Sequence, residues 1–215
     1  MDQLAGFDFA LVYWVARMVA SFFAYSFAGW LFEVIISLFQ HHRFVDRGFS
    51  FGPVCPIYGV GALLAVLFLS HLTDPLVQFV VGFFAAGVLE FSTSWVMERM
   101  FHARWWDYSN IPLNINGRIC LLYSIFWGLL GVLWIKDIYP RMSKWILRIP
   151  NRAGILLTWA LTAFLIFDCI VSGIAVMRWS QRIEGIPASN AFETFIDARF
   201  PDERMERIYA NMDFD

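Results

Sequence analysis

The chain has 215 residues, of which 59% are apolar, 19% are aromatic and only 16% are charged. Because average soluble domains carry roughly 25% charged residues, this composition excludes an ordinary soluble domain and indicates a membrane protein surrounded by lipid. The net charge of −2 and the lack of a basic patch or tail argue against a nucleic-acid partner.

Apolar runs long enough to cross a membrane recur along the chain and predict an all-α, polytopic helical bundle of about five transmembrane helices. The predicted spans are residues 9–39, 57–70, 76–101, 119–135 and 153–177, which together form a transmembrane domain over residues 1–180. The first span is too long for a signal peptide and ends in no small-residue cleavage site, so we expect it to be retained.

A Gly/Pro-rich segment, residues 44–61, follows the first predicted span. Its prolines remove amide donors and its glycines allow unusual backbone angles, so a regular helix is not expected there. Non-helical backbone at membrane depth is tolerated only where protein or a wet cavity satisfies its polar groups. The sequence therefore predicts a re-entrant or partly unwound segment that leads into the second span.

Residues 181–215 have the composition of a soluble, amphipathic tail. Ser189 or Asn190 can cap a first helix, Pro201 ends it, and Asp202 can cap a second helix. The second helix presents apolar residues at helical spacing, so it requires a surface on which to dock. That surface is the bundle itself, the lipid or a partner protein, and the first of these is the preferred interpretation.

The fourth predicted span has small residues on one face, and the link after it is basic. Cys120, Ser124, Gly128 and Gly131 form a stripe that is typical of closely packed membrane helices. In residues 136–152, apolar and basic side chains lie on opposite faces, which predicts a short amphipathic helix on an anionic leaflet. Charges after the first span place the N-terminus outside and the tail in the cytoplasm, whereas the basic link argues for the reverse. We adopt the first orientation.

Ionisable residues within the predicted spans define a candidate site. A charge in a membrane is costly, so the acids Glu33, Glu90 and Glu98 should pair with cations or line water. Polar residues of the Gly/Pro-rich segment and of the connection at residues 104–120 can converge on them. The candidate substrate-binding or cavity-lining residues are Glu33, Arg47, Tyr58, Glu90, Glu98, Arg99, Arg104, Asp107, Tyr108, Asn116 and Arg118.

Two interpretations of this set remain open. In the functional one, the acids form the floor of a polar cavity, and the arginines bind a carboxylate or phosphate group through their fixed donor forks. In the structural one, Glu–Arg pairs and hydrogen bonds hold the irregular segments against the bundle. No metal site and no cofactor are predicted, because the histidines are few and peripheral and the three cysteines are isolated in the sequence.

Three motifs resemble those of a known family. They are GWLFE at residues 29–33, RGFSFGPVCPIYGVGA at 47–62, and MERMFHARWWDYSN followed by NINGRICL across 97–121. They are similar to motifs of the bacterial ABC-transporter type IV, or CmpB-like, permease family, and the resemblance extends over roughly residues 29–131. Asp46 stands where this family commonly has an asparagine. The resemblance implies a bacterial inner-membrane transporter permease and assigns no catalytic residues.

The favoured function is therefore an ABC-transporter permease or substrate-binding membrane subunit. The chain has no Gly-x-x-x-x-Gly-Lys-Ser/Thr sequence, so ATP hydrolysis would require a separate ATPase subunit. Five spans are few for a transport pathway, which favours a homo-oligomer or a larger complex. The alternatives are a membrane scaffold or sensor and, less favoured, a membrane-embedded enzyme or binding protein for an anionic amphiphile, in which Glu90 or Glu98 would be the general base.

Overall fold

A computed structural model describes residues 9–41, 48–149, 151–210 and 212–214 of the chain, so Arg47 of the candidate site lies outside the described residues. The α-helices are α1 (Phe9–His41), α2 (Pro56–Leu69), α3 (Pro75–Phe101), α4 (Leu121–Leu133), α5 (Tyr139–Ile146), α6 (Asn151–Ile183), α7 (Ala191–Arg199) and α8 (Asp202–Ile208). A π-helical turn, Trp134–Ile138, joins α4 to α5. Two-residue strands form two antiparallel pairs, β1 (Ala103–Arg104) with β4 (Asp213–Phe214) and β2 (Asn114–Ile115) with β3 (Ile119–Cys120).

Within the described residues, four stretches of helix are long and apolar enough to cross a membrane. They are Trp14–Phe39 in α1, Pro75–Phe101 in α3, Leu121–Ile146 through α4 and α5, and Arg152–Ile183 in α6. The predicted all-α, multi-pass helical protein is therefore confirmed. The basic link also begins as helix, because α5 continues α4 through the π-helical turn instead of starting separately.

The second predicted span, residues 57–70, forms a helix of the same length, α2, whose 14 residues extend about 21 Å. That length is less than the roughly 30 Å of a hydrocarbon core. Pro56 occupies the first helical position, where its missing amide hydrogen costs no helical hydrogen bond. The Cys55 amide donates to the Ser26 carbonyl, in the middle of α1, at 3.0 Å. Residues 48–55 and α2 therefore cross the bundle as one segment. The first part of this segment is irregular backbone and the second part is helix.

The helices alternate in direction, which gives the bundle two different ends. Thr158, early in α6, donates to the Ala16 carbonyl, early in α1, at 3.2 Å. Gly173, late in α6, lies beside Phe49 and Phe101. One end contains Phe49, the connection at residues 102–120 and the tail, and we call it the tail end. The opposite end contains the start of α1 and residues 146–149.

Small residues bring α3 and α4 into close contact, as the predicted stripe requires. A Cβ atom placed on Gly82 would lie 3.6 Å from the Cα atom of Gly128, and Ser124 is buried in the same interface. A Cβ atom on Gly128 would lie 2.8 Å from the Phe79 ring and 3.0 Å from the Phe79 carbonyl oxygen. The close approach of these two helices therefore depends on glycine at position 128.

Gly128→Ala is expected to lower the free energy of unfolding by about 1–3 kcal/mol, because the added methyl group must displace the backbone of α3. The control is Gly61→Ala in α2, where the nearest atom, Leu89 Cδ2, would lie 3.4 Å from the added carbon. Reversible unfolding in mild detergent measures both changes. Equal stability of the two variants would contradict the close packing of α3 on α4.

The tail docks on the tail end of the bundle, which was the preferred interpretation of its apolar face. The buried residues of this contact come from the bundle and from the tail: Phe101, Ala103, Ala175, Val176, Trp179, Ile196, Phe200, Met205 and Tyr209. The Tyr209 hydroxyl donates to the Phe49 carbonyl at 2.8 Å. Asn190 caps α7 by accepting from the Glu193 amide at 2.9 Å, and Pro201 separates α7 from α8.

Ion pairs hold α7 against the end of α6. Arg178 is buried and donates to the two carboxylate oxygens of Asp197 at 3.1 and 2.7 Å, while Arg182 donates to Oδ1 at 2.5 Å. Hydrogen bonds from Arg178, assisted by Arg182, hold the pKa of Asp197 below its usual range. A lowered folded-state pKa stabilises the fold while the carboxylate is ionised. The contribution of Asp197 to the free energy of unfolding is thus present at pH values above the ordinary Asp pKa of about 3.9. It is lost as the pH falls through the lowered pKa of the folded state.

Acidification from pH 7 to below about pH 4 is therefore expected to loosen the tail. Hydrogen exchange of the α7 and α8 amides, corrected for the intrinsic pH dependence of exchange, measures the loss of protection. In Asp197→Asn the protection should be lower at pH 7 and should fall less on acidification. Identical acid profiles for the wild type and this variant would show that Asp197 does not stabilise the docked tail.

Candidate functional site

Glu98 is the centre of an ion-paired cluster at the tail end. Arg104 Nη2 donates to Glu98 Oε1 at 2.9 Å, and Arg118 Nη2 donates to Oε2. The Glu98 and Arg118 side chains are only 16% and 12% exposed. We call Glu98, Arg104 and Arg118 the Glu98 cluster. It joins the end of α3 to the two ends of the connection that leads into α4.

Left-handed backbone shapes the connection that supplies these arginines. His102 turns the chain out of α3 with φ 52°, and Asn116 and Gly117 have φ values of 52° and 70°. At Gly117 there is also no room for a side chain, because a Cβ atom would lie 2.2 Å from Asp107 Oδ1. Asn116 therefore serves the turn as a residue that tolerates this conformation.

Hydrogen bonds within the connection hold Arg118 in position. The Tyr108 amide donates to the Gly117 carbonyl at 2.7 Å, and Trp106 Nε1 donates to the Arg118 carbonyl at 3.0 Å. Asp107 Oδ1 accepts from the Ser109 hydroxyl and amide at 2.6 and 2.8 Å, and these bonds hold the pKa of Asp107 below its usual range. Asp107 thus fixes the turn and lies 4.0 Å from Arg104 Nη1.

Two glutamates inside the bundle each accept a hydrogen bond from a tyrosine. Tyr58 of α2 donates to Glu33 Oε1 of α1, and Tyr108 of the connection donates to Glu90 Oε1 of α3 at 2.8 Å. Burial raises the pKa of Tyr108 above its usual range, so its hydroxyl keeps its proton and acts as a donor. Tyr58 approaches α1 directly over Gly29, where there is no room for a Cβ atom.

Two aromatic residues of α4 complete the surroundings of these pairs, and neither was predicted. Trp127 contacts the Tyr58 ring, with centroids 5.8 Å apart, and Tyr123 stacks on the Tyr108 ring at 4.8 Å. Because the chain contains 10 tryptophans and 7 tyrosines, aromatic identity alone does not distinguish them. Their spacing of four residues places both on one face of α4, and this was the signal available in the sequence.

The irregular segment before α2 is anchored by polar groups of α6. Asp168 Oδ2 accepts from the Gly52 amide at 3.0 Å, and Ser172 Oγ accepts from the Phe51 amide at 3.1 Å. Backbone polar groups at membrane depth require such partners. Asp168, an acid inside a predicted span, is therefore accounted for by the fold.

Apart from Arg99 and Asn116, the described site residues contact one another, and none of the site residues lines either of two cavities in the described part of the chain. One cavity of about 310 Å³ lies in the tail and is lined by Trp179, Ile183, Asp202, Glu206, Tyr209, Ala210, Met212 and Phe214. A second, of about 20 Å³, lies at the opposite end beside Ala16 and Ile155. Arg99 lies apart from the Glu98 cluster, with its guanidinium group over the Trp95 ring. Most of the described site residues are thus paired within the chain, and the open cavity stays a prediction.

In the part of the chain that the structure describes, no three His, Cys, Asp or Glu side chains come together as metal ligands. The cysteines are free thiols, with Cys55 and Cys120 buried and Cys169 half-buried. The Glu98 cluster and the two Glu–Tyr pairs, which we call the polar network, are therefore built from carboxylates, guanidinium groups and tyrosine hydroxyls.

The sequence matches a family model described as Putative ABC-transporter type IV over residues 20–173, well over half of the chain. The match begins within α1 and ends within α6, so it contains the Glu98 cluster, the two Glu–Tyr pairs and Asp168. Comparisons with curated proteins and with solved structures find no match. The tail lies outside the matched region.

Proposed function

The chain belongs to the Putative ABC-transporter type IV family, and from this membership we propose that it is a permease-type membrane subunit of a transporter in the bacterial inner membrane. The observation that carries the proposal is the family match, which extends from α1 into α6. The long apolar helices within the matched region are suited to the multi-pass body of such a subunit.

The polar network supports a role in transport. Ionisable residues inside a membrane bundle are costly and commonly mark ion or substrate pathways. Glu33 and Glu90 lie within the helices and are held by tyrosines from other segments. At the tail end, Arg104 and Arg118 offer guanidinium groups, whose donor geometry suits a carboxylate or phosphate. On this proposal, an anionic substrate competes with Glu98 for these arginines when the site opens.

The proposed permease requires a separate ATPase, because the chain contains no phosphate-binding Gly-x-x-x-x-Gly-Lys-Ser/Thr sequence. The tail is the proposed docking surface. Its helix α7 buries Ile196 against the bundle but leaves Phe192 and Phe195 exposed. We further propose that the chain acts as a homo-oligomer or within a larger complex, since the few membrane-spanning helices of one chain enclose little space for a transport pathway.

Orientation in the membrane follows from the same proposal. An ATPase that docks on the tail requires the tail end in the cytoplasm and the start of α1 outside. The basic residues Arg141, Lys144 and Arg148 at the opposite end argue for the reverse, since cytoplasmic loops are enriched in Lys and Arg. Fusions of a cytoplasm-dependent fluorescent reporter and a periplasm-dependent phosphatase to the C-terminus decide between the two orientations.

Affinity purification through a C-terminal tag, in mild detergent and followed by mass spectrometry, tests the permease proposal. The expected result is recovery of an ATP-binding subunit in constant ratio to this chain. Phe192→Ser with Phe195→Ser should weaken that recovery without changing the amount of folded chain. A stable, homogeneous protein that never recovers an ATPase would overturn the proposal.

A membrane scaffold is the second candidate, and the closed Glu98 cluster favours it. Both arginines of that cluster pair with Glu98, so their positive charge is already balanced in part within the described contacts. In this case the same purification recovers a membrane protein without an ATP-binding sequence, and substitutions in α7 abolish that contact.

A further inference from the structure

The carboxyl group of Glu90 is deeply buried, and one of its oxygens is unused. The residue is 7% exposed and lies about 16 Å along the axis from the last residue of α3. Its Oε1 atom accepts from the Tyr108 hydroxyl at 2.8 Å, whereas Oε2 has no hydrogen-bond partner among the described residues. Glu90 takes part in none of the ion pairs found in the described ranges.

In the described part of the chain, the groups around Glu90 supply no positive charge. Those that face the carboxyl group or surround its tyrosine partner are Tyr58 from α2, Tyr108 from the connection, Cys120 before α4, and Tyr123 and Trp127 from α4. Tyrosine, cysteine and tryptophan side chains carry no positive charge in any of their ordinary protonation states. The guanidinium groups of the Glu98 cluster are bound to Glu98 instead.

An ionised carboxylate here would place a full negative charge in an apolar medium, with the Tyr108 hydroxyl as its hydrogen-bond donor and the neutral indole of Trp127 beside it. A protonated carboxyl group avoids that charge and leaves only one neutral O–H without an acceptor, which costs far less. Oε1 remains a carbonyl oxygen that accepts from Tyr108. We propose that Glu90 is a proton-binding site, with a proton held on Oε2 at neutral pH. This inference goes beyond the permease function and does not depend on an ATPase.

Proton occupancy of Glu90 is linked to the tail end through Tyr108. When the proton leaves, Oε2 requires a cation or water, and the bundle must open or rearrange to supply it. Tyr108 belongs to the connection that presents the Glu98 cluster, so such a rearrangement moves the segment that holds Arg104 and Arg118. The site thus couples proton binding inside the bundle to the arrangement of its tail end.

Infrared difference spectroscopy of the purified, folded protein at pH 7 tests the proposal. Subtraction of the Glu90→Gln spectrum from the wild-type spectrum should show the C=O stretch of a protonated carboxylic acid, shifted in D₂O. The matched control is Glu98→Gln, whose difference spectrum should show the two carboxylate bands of an ion-paired side chain. Carboxylate bands in the Glu90→Gln difference would overturn the proposal.

Tyr108→Phe provides a second, independent readout in case the glutamine variant perturbs the fold. It removes the donor to Oε1 but keeps the ring that stacks on Tyr123. The protonated C=O band should persist and move to higher frequency, because the carbonyl loses its hydrogen bond. A band that does not move would show that the signal arises from a different carboxyl group, and the assignment to Glu90 would then be wrong.

Discussion

Glu98→Ala is expected to destabilise the protein by about 3 kcal/mol. Removing one partner of a buried ion pair typically costs about 3–5 kcal/mol, because the remaining charge is left uncompensated. Here two guanidinium groups lose the same carboxylate and are left close together. The lower end of the range applies because the Arg104 side chain is 23% exposed and can reach water. The measurement is reversible unfolding in mild detergent, with helicity as the signal.

The control for this prediction is Glu184→Ala, which removes an exposed carboxylate at the turn after α6, at the same end of the bundle. A surface substitution of this kind should change stability by no more than about 0.5 kcal/mol. If both variants have the same small effect, the Glu98 cluster does not hold the connection against α3.

Met205→Ala is expected to weaken the docking of the tail by about 3 kcal/mol. Met205 is fully buried, with 0% exposure, among Phe101, Val176 and Trp179. Truncation of a buried methionine to alanine removes apolar contacts and leaves a cavity, which typically costs about 2–5 kcal/mol. Hydrogen exchange of the α8 amides reports the free energy of local opening of the tail, separately from unfolding of the bundle.

Phe195→Ala is the matched control, because this large side chain is 62% exposed and lies outside the buried cluster that contains Met205. Its removal should leave the exchange of α8 almost unchanged. A tail that opens equally in both variants would indicate that Met205 does not contribute to a packed contact.

Hydrophobic run length and helix-capping residues predicted most of the architecture. The long apolar helices and the break at Pro201 are confirmed, because each depends on local composition. The family resemblance, inferred over residues 29–131, is also confirmed, and the match extends further to residues 20–173. The helix α2 has the length of the predicted span at residues 57–70. The contacts of the irregular backbone before it were not predictable, because its amides donate to Ser26, Asp168 and Ser172, residues far away in the sequence.

The candidate site was predicted as a set of residue types, but not as a set of contacts. Helical spacing placed Glu90 and Glu98 on one face of α3, and both are directed toward the connection. The sequence could not show that Glu98 binds two arginines while Glu90 binds only a tyrosine. That difference arises from the left-handed turn at Asn116 and Gly117, which brings Arg118 back to the end of α3.

Native mass spectrometry of the protein extracted from its own membrane tests the permease assignment most directly, because it counts the subunits of the complex. We expect a mass that corresponds to one or more copies of this 24.9 kDa chain together with an ATP-binding subunit. A single species of 24.9 kDa, stable and without any partner, would contradict it.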